Sequence, residues 1–153
     1  MAEVQWLTAR EERAWRALQF MQLRLEGELA RQLAISSGLS YPDYVVLVAL
    51  TGSEEGRLRM FELADALGWE RSRVSHQVTR MAGRGLVAKE KSGSDGRGAY
   101  VTVTERGRNE IAAAAPGHVA LVRQAFIDRL SVDQLDVIAE IAESVMQGLD
   151  AQG

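Results

Sequence analysis

Residues 62–87 read ELADALGWERSRVSHQVTRMAGRGLV and contain the clearest pattern of short helices in the sequence. The beginning of this stretch belongs to a short helix predicted over 60–67, whose apolar face consists of Met60, Leu63, Ala64 and Leu67. Gly68 ends that helix. A second helix is predicted over 71–83, with an inner face made of Val74, Val78 and Met81. Two short helices joined at a glycine turn are typical of a helix-turn-helix.

A β-hairpin is predicted directly after these helices, over residues 86–104. The first strand begins at Leu86 and Val87, and the returning strand is rich in β-branched and aromatic residues: Tyr100, Val101 and Val103. The tip between the strands contains three glycines, Gly93, Gly96 and Gly98, which allow the chain to turn.

Longer helices are predicted on both sides of this centre. Thr8 and Glu11 have the spacing of a capping box and open a helix whose apolar stripe is Trp15, Leu18, Met21, Leu25, Leu29 and Leu33. Ser40 and Asp43 repeat the capping pattern before a short buried helix. A helix starting after Thr104 is expected to continue to Leu130, with a kink at Pro116 and Gly117. The last helix follows Ser131, and its stripe is Leu135, Ile138, Ile141, Ala142, Val145 and Leu149.

Charge is unevenly distributed along the chain. The net charge of the 153 residues is −3, yet residues 57–97 contain nine lysines and arginines against five acidic residues. A basic middle between acidic flanks favours a surface turned toward an anionic partner, although chance clustering is the alternative. The sequence contains no cysteine, which excludes disulfides, thiolate metal sites and cysteine nucleophiles. Without a predicted leader or membrane span, we expect a cytoplasmic protein that does not enter a membrane.

The outer face of the helix over 71–83 has the side chains that read DNA. If the valines and Met81 are buried, the outward residues are Ser72, Arg73, Ser75, His76, Thr79 and Arg80. This face carries no carboxylate, and its hydroxyl, imidazole and guanidinium groups can donate hydrogen bonds to base edges and phosphates. The alternative is a solvated helix face without a partner.

The hairpin supplies a second predicted contact through Lys91, Asp95 and Arg97. Arg97 suits the narrow minor groove, where the negative potential favours an inserted guanidinium. We expect Asp95 to orient an arginine through a charge-assisted hydrogen bond. A solvated loop with an incidental ion pair is the alternative.

The hairpin resembles the wing of the MarR (multiple antibiotic resistance regulator) family. Asp95, Arg97, Val101 and Thr104 match its DxRxxxVxLT pattern, with Val103 in place of leucine. The resemblance implies a mainly α fold with a small antiparallel β wing, in which RLRM, residues 57–60, adds a third strand. It also implies a homodimer on a pseudo-palindromic operator, usually a repressor released by a small ligand. One domain over 1–153 would then comprise a DNA-binding lobe, 40–104, and dimerisation helices, 8–37 and 105–149.

The apolar stripes of the outer helices also favour a homodimer, because a winged-helix core of about 65 residues is too small to cover them. An intramolecular helical bundle is the alternative. The ligand site is not predicted. Four aromatic residues have the chemistry to line a pocket for a small aromatic effector, but they fit the core better: Trp15, Phe20, Tyr44 and Trp69.

Catalysis has little support in the sequence, so neither an enzyme nor a cofactor is expected. Ser75 and His76 are neighbours on a helix and point about 100° apart, and His118 is expected on a helix surface or in packing. GSDGRG lacks the GK[ST] ending of a phosphate loop. The remaining rival is a protein-interaction module built from the amphipathic helices, whose binding would depend little on salt.

Overall fold

The computed structural model describes residues 4–91 and 98–151. The described helices are α1 (Ala9–Ser36), α2 (Tyr41–Thr51), α3 (Met60–Leu67), α4 (Arg71–Gly83), α5 (Glu105–Ala125) and α6 (Val132–Asp150). The strands are β1 (Arg57–Arg59), β2 (Val87–Glu90) and β3 (Tyr100–Val103). The mainly α fold with a small antiparallel sheet is confirmed. The chain forms two compact units, the first ending at His118 and the second beginning at Val119.

Capping boxes start the helices where the sequence predicts them. The Thr8 hydroxyl accepts from the Glu11 amide at the start of α1, and Ser40 and Asp43 make the same reciprocal pair at α2. Ser131 caps α6, with Gln134 as its partner. Each pair satisfies amides that the first helical turn leaves without an acceptor, and such a cap stabilises a helix by about 1 kcal/mol.

The helix-turn-helix consists of α3 and α4, and its turn depends on Gly68. This residue has φ 62° and ψ 31°, a left-handed conformation that glycine adopts without a Cβ clash. The amides of Gly68 and Trp69 return to the carbonyls of Asp65 and Ala64, which closes α3 before α4 begins. Apolar residues of both helices are buried in the core of the first unit: Leu63, Ala64, Val74, Val78 and Met81.

A three-stranded antiparallel sheet, called the wing below, has the strand order β1-β3-β2, with β1 before the helix-turn-helix and β2 and β3 after it. The third strand predicted over 57–60 is therefore confirmed, except that Met60 begins α3. The register pairs Arg59 with Tyr100 and Val87 with Val103. Alternate residues of the sheet face the core, where Val101 is fully buried.

The start of α5 packs directly on the chain that leads into β2. The Thr104 amide donates to the Leu86 carbonyl at 3.2 Å, and the Thr104 hydroxyl donates to the Gly85 carbonyl at 2.6 Å, with the Leu86 carbonyl at 3.0 Å. The Gly107 amide donates to the Thr104 hydroxyl. A Cβ on Gly107 would fall well inside van der Waals contact with the Leu86 carbonyl oxygen. Only glycine therefore permits this close approach.

The expected end of α5 at Leu130 is wrong. The helix includes Pro116 and ends at Ala125, after which a 3-10 turn covers Ile127–Arg129. Phe126 leaves the helical conformation, with φ −131°, and Arg129 donates to the Gln124 carbonyl that the helix leaves open. The helix thus ends where the backbone changes conformation at Phe126 and a 3-10 turn follows, a change that apolar spacing does not reveal.

No single helix within 4–91 and 98–151 is long and apolar enough to cross a bilayer, although α1 and α2 reach that length and composition together, across a 90° bend.

Candidate nucleic-acid interface

The outer face of α4 carries the six residues predicted from its helical period. Five of them are exposed to solvent: Ser72, Arg73, His76, Thr79 and Arg80. Ser75 is half-buried. The helix therefore presents a surface of cations, hydroxyl groups and an imidazole, a set able to donate to phosphates and base edges.

Gln77 is a polar residue of α4 that the sequence reasoning missed. Its side chain is only 4% exposed and donates from Nε2 to Oδ1 of Asp43 at 2.7 Å. Its Oε1 accepts from Nη2 of Arg80, also at 2.7 Å. The helical period contains a signal for this residue, because Gln77 lies three positions after Val74 and four before Met81.

Asp43 is buried to 1% exposure and holds several groups in place. Its Oδ2 accepts from the Ser40 amide at 2.9 Å and from Nη1 of Arg84 at 2.6 Å. A second nitrogen of Arg84 donates to the Gly38 carbonyl at 2.6 Å. The buried carboxylate is thus both paired and hydrogen-bonded, as a charge removed from water requires.

Arg73 lies over the aromatic ring of Trp69. The guanidinium carbon is 3.9 Å from the ring centroid, and Trp69 itself packs against the core. A cation–π contact of this kind restricts an otherwise mobile side chain. The turn between α3 and α4 therefore supports the first arginine of the predicted contact face.

Thr79 joins α4 to the wing. Its hydroxyl donates to the Ser75 carbonyl at 2.8 Å and accepts from Nζ of Lys89 at 2.7 Å. Lys89 is an exposed β2 residue that the prediction omitted, whereas the predicted Lys91 is exposed just beyond the strand. Because side chains alternate along a strand, a lysine two positions from Lys91 was the available signal.

Basic residues also line the β1 edge of the wing. Arg57 and Arg59 lie over the ring of Tyr100, at 4.7 and 4.4 Å from its centroid. Arg57 also pairs with Glu55 at 2.7 Å. Asp95 and Arg97, predicted at the wing tip, lie outside the described residues.

The four aromatic residues considered for the core or a pocket have different environments. The core interpretation is wrong for Trp15 and Phe20, which are 53% and 64% exposed, because no other described part of the first unit packs over them. Phe20 lines a groove of about 680 Å³ together with Tyr41. Tyr44 is 8% exposed and belongs to the core, and Trp69 packs against it.

His118 packs against Tyr44, with ring centroids 4.3 Å apart. Burial lowers the pKa of His118 from its ordinary value of 6.5, because the charged imidazolium loses hydration. Burial likewise raises the pKa of Tyr44. Within the described residues no group of three or more His, Cys, Asp and Glu side chains is arranged to hold a metal ion.

A helix-turn-helix backed by a three-stranded antiparallel sheet defines the winged helix-turn-helix class. Comparisons with known proteins identify the family within this class. The MarR family model matches residues 37–98. Sco3205 of Streptomyces coelicolor, a MarR family transcriptional regulator with a crystal structure in complex with DNA, is 41% identical, with 97% of this chain and 93% of that chain covered and a TM-score of 0.89.

Two further proteins agree with this placement. AbsC of Streptomyces coelicolor, another MarR family transcriptional regulator, is 38% identical, with 97% of this chain and 99% of that chain covered and a TM-score of 0.87. The transcriptional regulator HosA of Escherichia coli O127:H6 is 27% identical over 108 residues, which cover 71% of this chain and 78% of HosA. The chain belongs to the MarR family of transcriptional regulators.

Proposed function

We propose that this regulator binds an operator in double-stranded DNA through α4 and the wing, as a homodimer. The observation that carries the proposal is the outer face of α4, where exposed donors include Arg73 and Arg80, each restrained by a neighbouring side chain. Restrained donors on a rigid helix lose less freedom on binding than unrestrained ones. The 41% identity to Sco3205, whose structure contains DNA, supports the same assignment.

The proposed docking places α4 in the major groove. There His76 and Arg80 contact base edges, and Ser72, Arg73 and Thr79 contact the backbone or bases. Lys91 follows the adjacent phosphates, Arg97 enters the neighbouring minor groove, and Asp95 orients an arginine. The lobe 40–104 is the DNA-binding part in this proposal.

Exposed apolar surface on the outer helices supports the proposed dimer. On α1 Trp15, Leu18 and Met21 are 53%, 41% and 39% exposed. The stripe of α6 is exposed as well, through Ile138, Ile141, Val145 and Leu149. Such surface is unfavourable in water unless another chain covers it, and the helices in 8–37 and 105–149 are the proposed dimerisation elements.

Salt dependence of binding tests the proposal against a protein-interaction module. Binding to a duplex of random sequence, measured by fluorescence anisotropy, should weaken steeply as salt rises, because each neutralised phosphate releases counterions. An apolar helix interface would change little over the same range. A flat salt response would therefore favour the interaction module.

We further propose that the protein is a repressor released by a small aromatic ligand, without catalytic activity or a cofactor, acting in the cytoplasm. The groove beside Phe20 and Tyr41, about 680 Å³ in volume, supports a ligand of this class. A screen of small aromatic acids for release of bound DNA tests this part. Failure of every acid to release DNA would count against it.

A further inference from the structure

The two buried polar side chains of the described residues lie next to the proposed DNA-binding face, although neither is exposed enough to touch DNA. They are Asp43, 1% exposed, and Gln77, 4% exposed. We propose that both are positioning residues for base recognition: Asp43 fixes the amide of Gln77, and Gln77 fixes the guanidinium of Arg80. This inference rests on the proposed function, since it requires Arg80 to contact DNA.

The direction of the Gln77 amide follows from hydrogen-bond chemistry. A carboxylate only accepts hydrogen bonds, so Gln77 must turn its NH₂ group toward Asp43, and Nε2 lies 2.7 Å from Oδ1. Its oxygen then faces Arg80, which only donates, with 2.7 Å between Oε1 and Nη2. In the reversed orientation the amide oxygen would face the Asp43 carboxylate, and the amide NH₂ would face the Arg80 guanidinium. Neither of these pairs can form a hydrogen bond. Asp43 therefore determines which end of Gln77 meets Arg80.

Asp43 is itself held firmly by its neighbours. Asp43 lies in the first turn of α2, where its carboxylate accepts from the Ser40 amide and the Ser40 hydroxyl accepts from the Asp43 amide. Arg84 donates to the same carboxylate and to the Gly38 carbonyl. The hydrogen bonds that position Arg80 therefore begin at the junction between α1 and α2, outside the helix-turn-helix.

Of Asp43, Gln77 and Arg80, only Arg80 is exposed to solvent. An exposed arginine samples many rotamers, and binding a base requires that most of them be given up. A hydrogen bond to a buried acceptor restricts the guanidinium before DNA arrives. Gln77 and Asp43 should therefore affect discrimination between base pairs, a property that a purely structural role would leave unchanged.

The first test compares Gln77→Met, Arg80→Ala and the double variant. Methionine keeps the length and packing of glutamine but removes both hydrogen bonds. A selection from random duplexes defines the base pair at which Arg80→Ala loses discrimination, and competition binding then measures all variants there. Gln77→Met should lose about tenfold in discrimination at that base pair, and little more should be lost in the double variant. Gln32→Met, on α1, is the matched control and should retain wild-type discrimination.

The second test is a reciprocal exchange that restores the bonding pattern. Gln77→Glu alone places a second carboxylate against that of Asp43, and this variant should lose discrimination between base pairs. Combined with Asp43→Asn, the new amide can donate to Glu while its oxygen accepts from Arg84, and Glu still accepts from Arg80. The double exchange should recover discrimination to within about threefold of wild type. Because the exchange rescues function only through these hydrogen bonds, a destabilised single variant does not obscure the result.

The outcomes separate this inference from the proposed function. The inference is overturned if Gln77→Met keeps wild-type discrimination, if it weakens all sequences equally with or without Arg80, or if the double exchange fails to rescue. It is also overturned if Arg80→Ala leaves the selected motif unchanged, although DNA binding would then stand. If wild-type protein binds no duplex, the proposed function itself fails.

Discussion

Replacing Gly107 by alanine should separate α5 from the wing. A Cβ at this position would lie 3.0 Å from Cγ2 of Val103 and 3.1 Å from the carbonyl carbon of Leu86, and closer still to its oxygen. Backbone on one side must therefore move. The movement breaks or lengthens the two hydrogen bonds by which Thr104 holds this chain, from its amide to Leu86 and from its hydroxyl to Gly85, each stabilising by about 1 kcal/mol. Overpacking adds about 1 to 3 kcal/mol, so the free energy of unfolding should fall by about 3 to 5 kcal/mol.

Urea denaturation followed by circular dichroism measures this change, at one fixed protein concentration because a dimer's stability depends on it. Gly83→Ala is the matched control. Gly83 ends α4, and within the described residues a Cβ there meets no atom within 4 Å apart from its chain neighbours and its own helix backbone. That variant should change the unfolding free energy by less than about 1 kcal/mol, and in the stabilising direction. A Gly107→Ala protein within 1 kcal/mol of wild type would refute the argument from close approach.

Three further predictions concern single side chains. Because burial lowers the pKa of His118 below 6.5, the unfolded chain binds more protons as the pH falls through 6.5, and stability should decline there. His118→Gln should decline less between about pH 7.5 and about pH 5.5, and an unchanged pH profile would contradict this. Arg97→Ala should reduce the slope of log affinity against log salt by about one unit, and tight binding with the original slope would remove Arg97 from the interface. Trp69→Leu keeps an apolar side chain but removes the ring under Arg73, so DNA affinity should fall by about twofold to fivefold, whereas wild-type affinity would show that the ring does not matter.

Local patterns predicted most of the fold. The helix over 71–83 and the turn at Gly68 agree with the structure because apolar spacing and left-handed glycine act within a few residues. The capping boxes at Thr8 and Ser40 are equally local. Strand pairing over 57–60 was predicted only through the family resemblance, since three residues carry too little pattern by themselves.

The organisation of the candidate site was less accessible to sequence reasoning. The outward face of α4 follows from helical geometry, but the bond between Gln77 and Asp43 joins residues 34 positions apart. The contact of Lys89 with Thr79 depends on where β2 crosses α4. Such contacts depend on tertiary packing, which the periodicity of one helix does not encode.

The exposed residues of α1 show a second limit of prediction from sequence, which concerns burial. Trp15 and Phe20 have the size and chemistry of core residues, so their sequence positions favour burial. Both are exposed to solvent in the described residues, because no other described part of the first unit packs over them. Periodicity identifies an apolar face but not the chain that covers it.

The proposed binding of a homodimer to an operator can be measured by selecting bound duplexes from a random pool and determining the number of chains per duplex by sedimentation. We expect a pseudo-palindromic motif bound by two chains, with half-sites about 34 to 36 Å apart along the DNA. Absence of an enriched motif at low salt, or a single chain on each duplex, would contradict it.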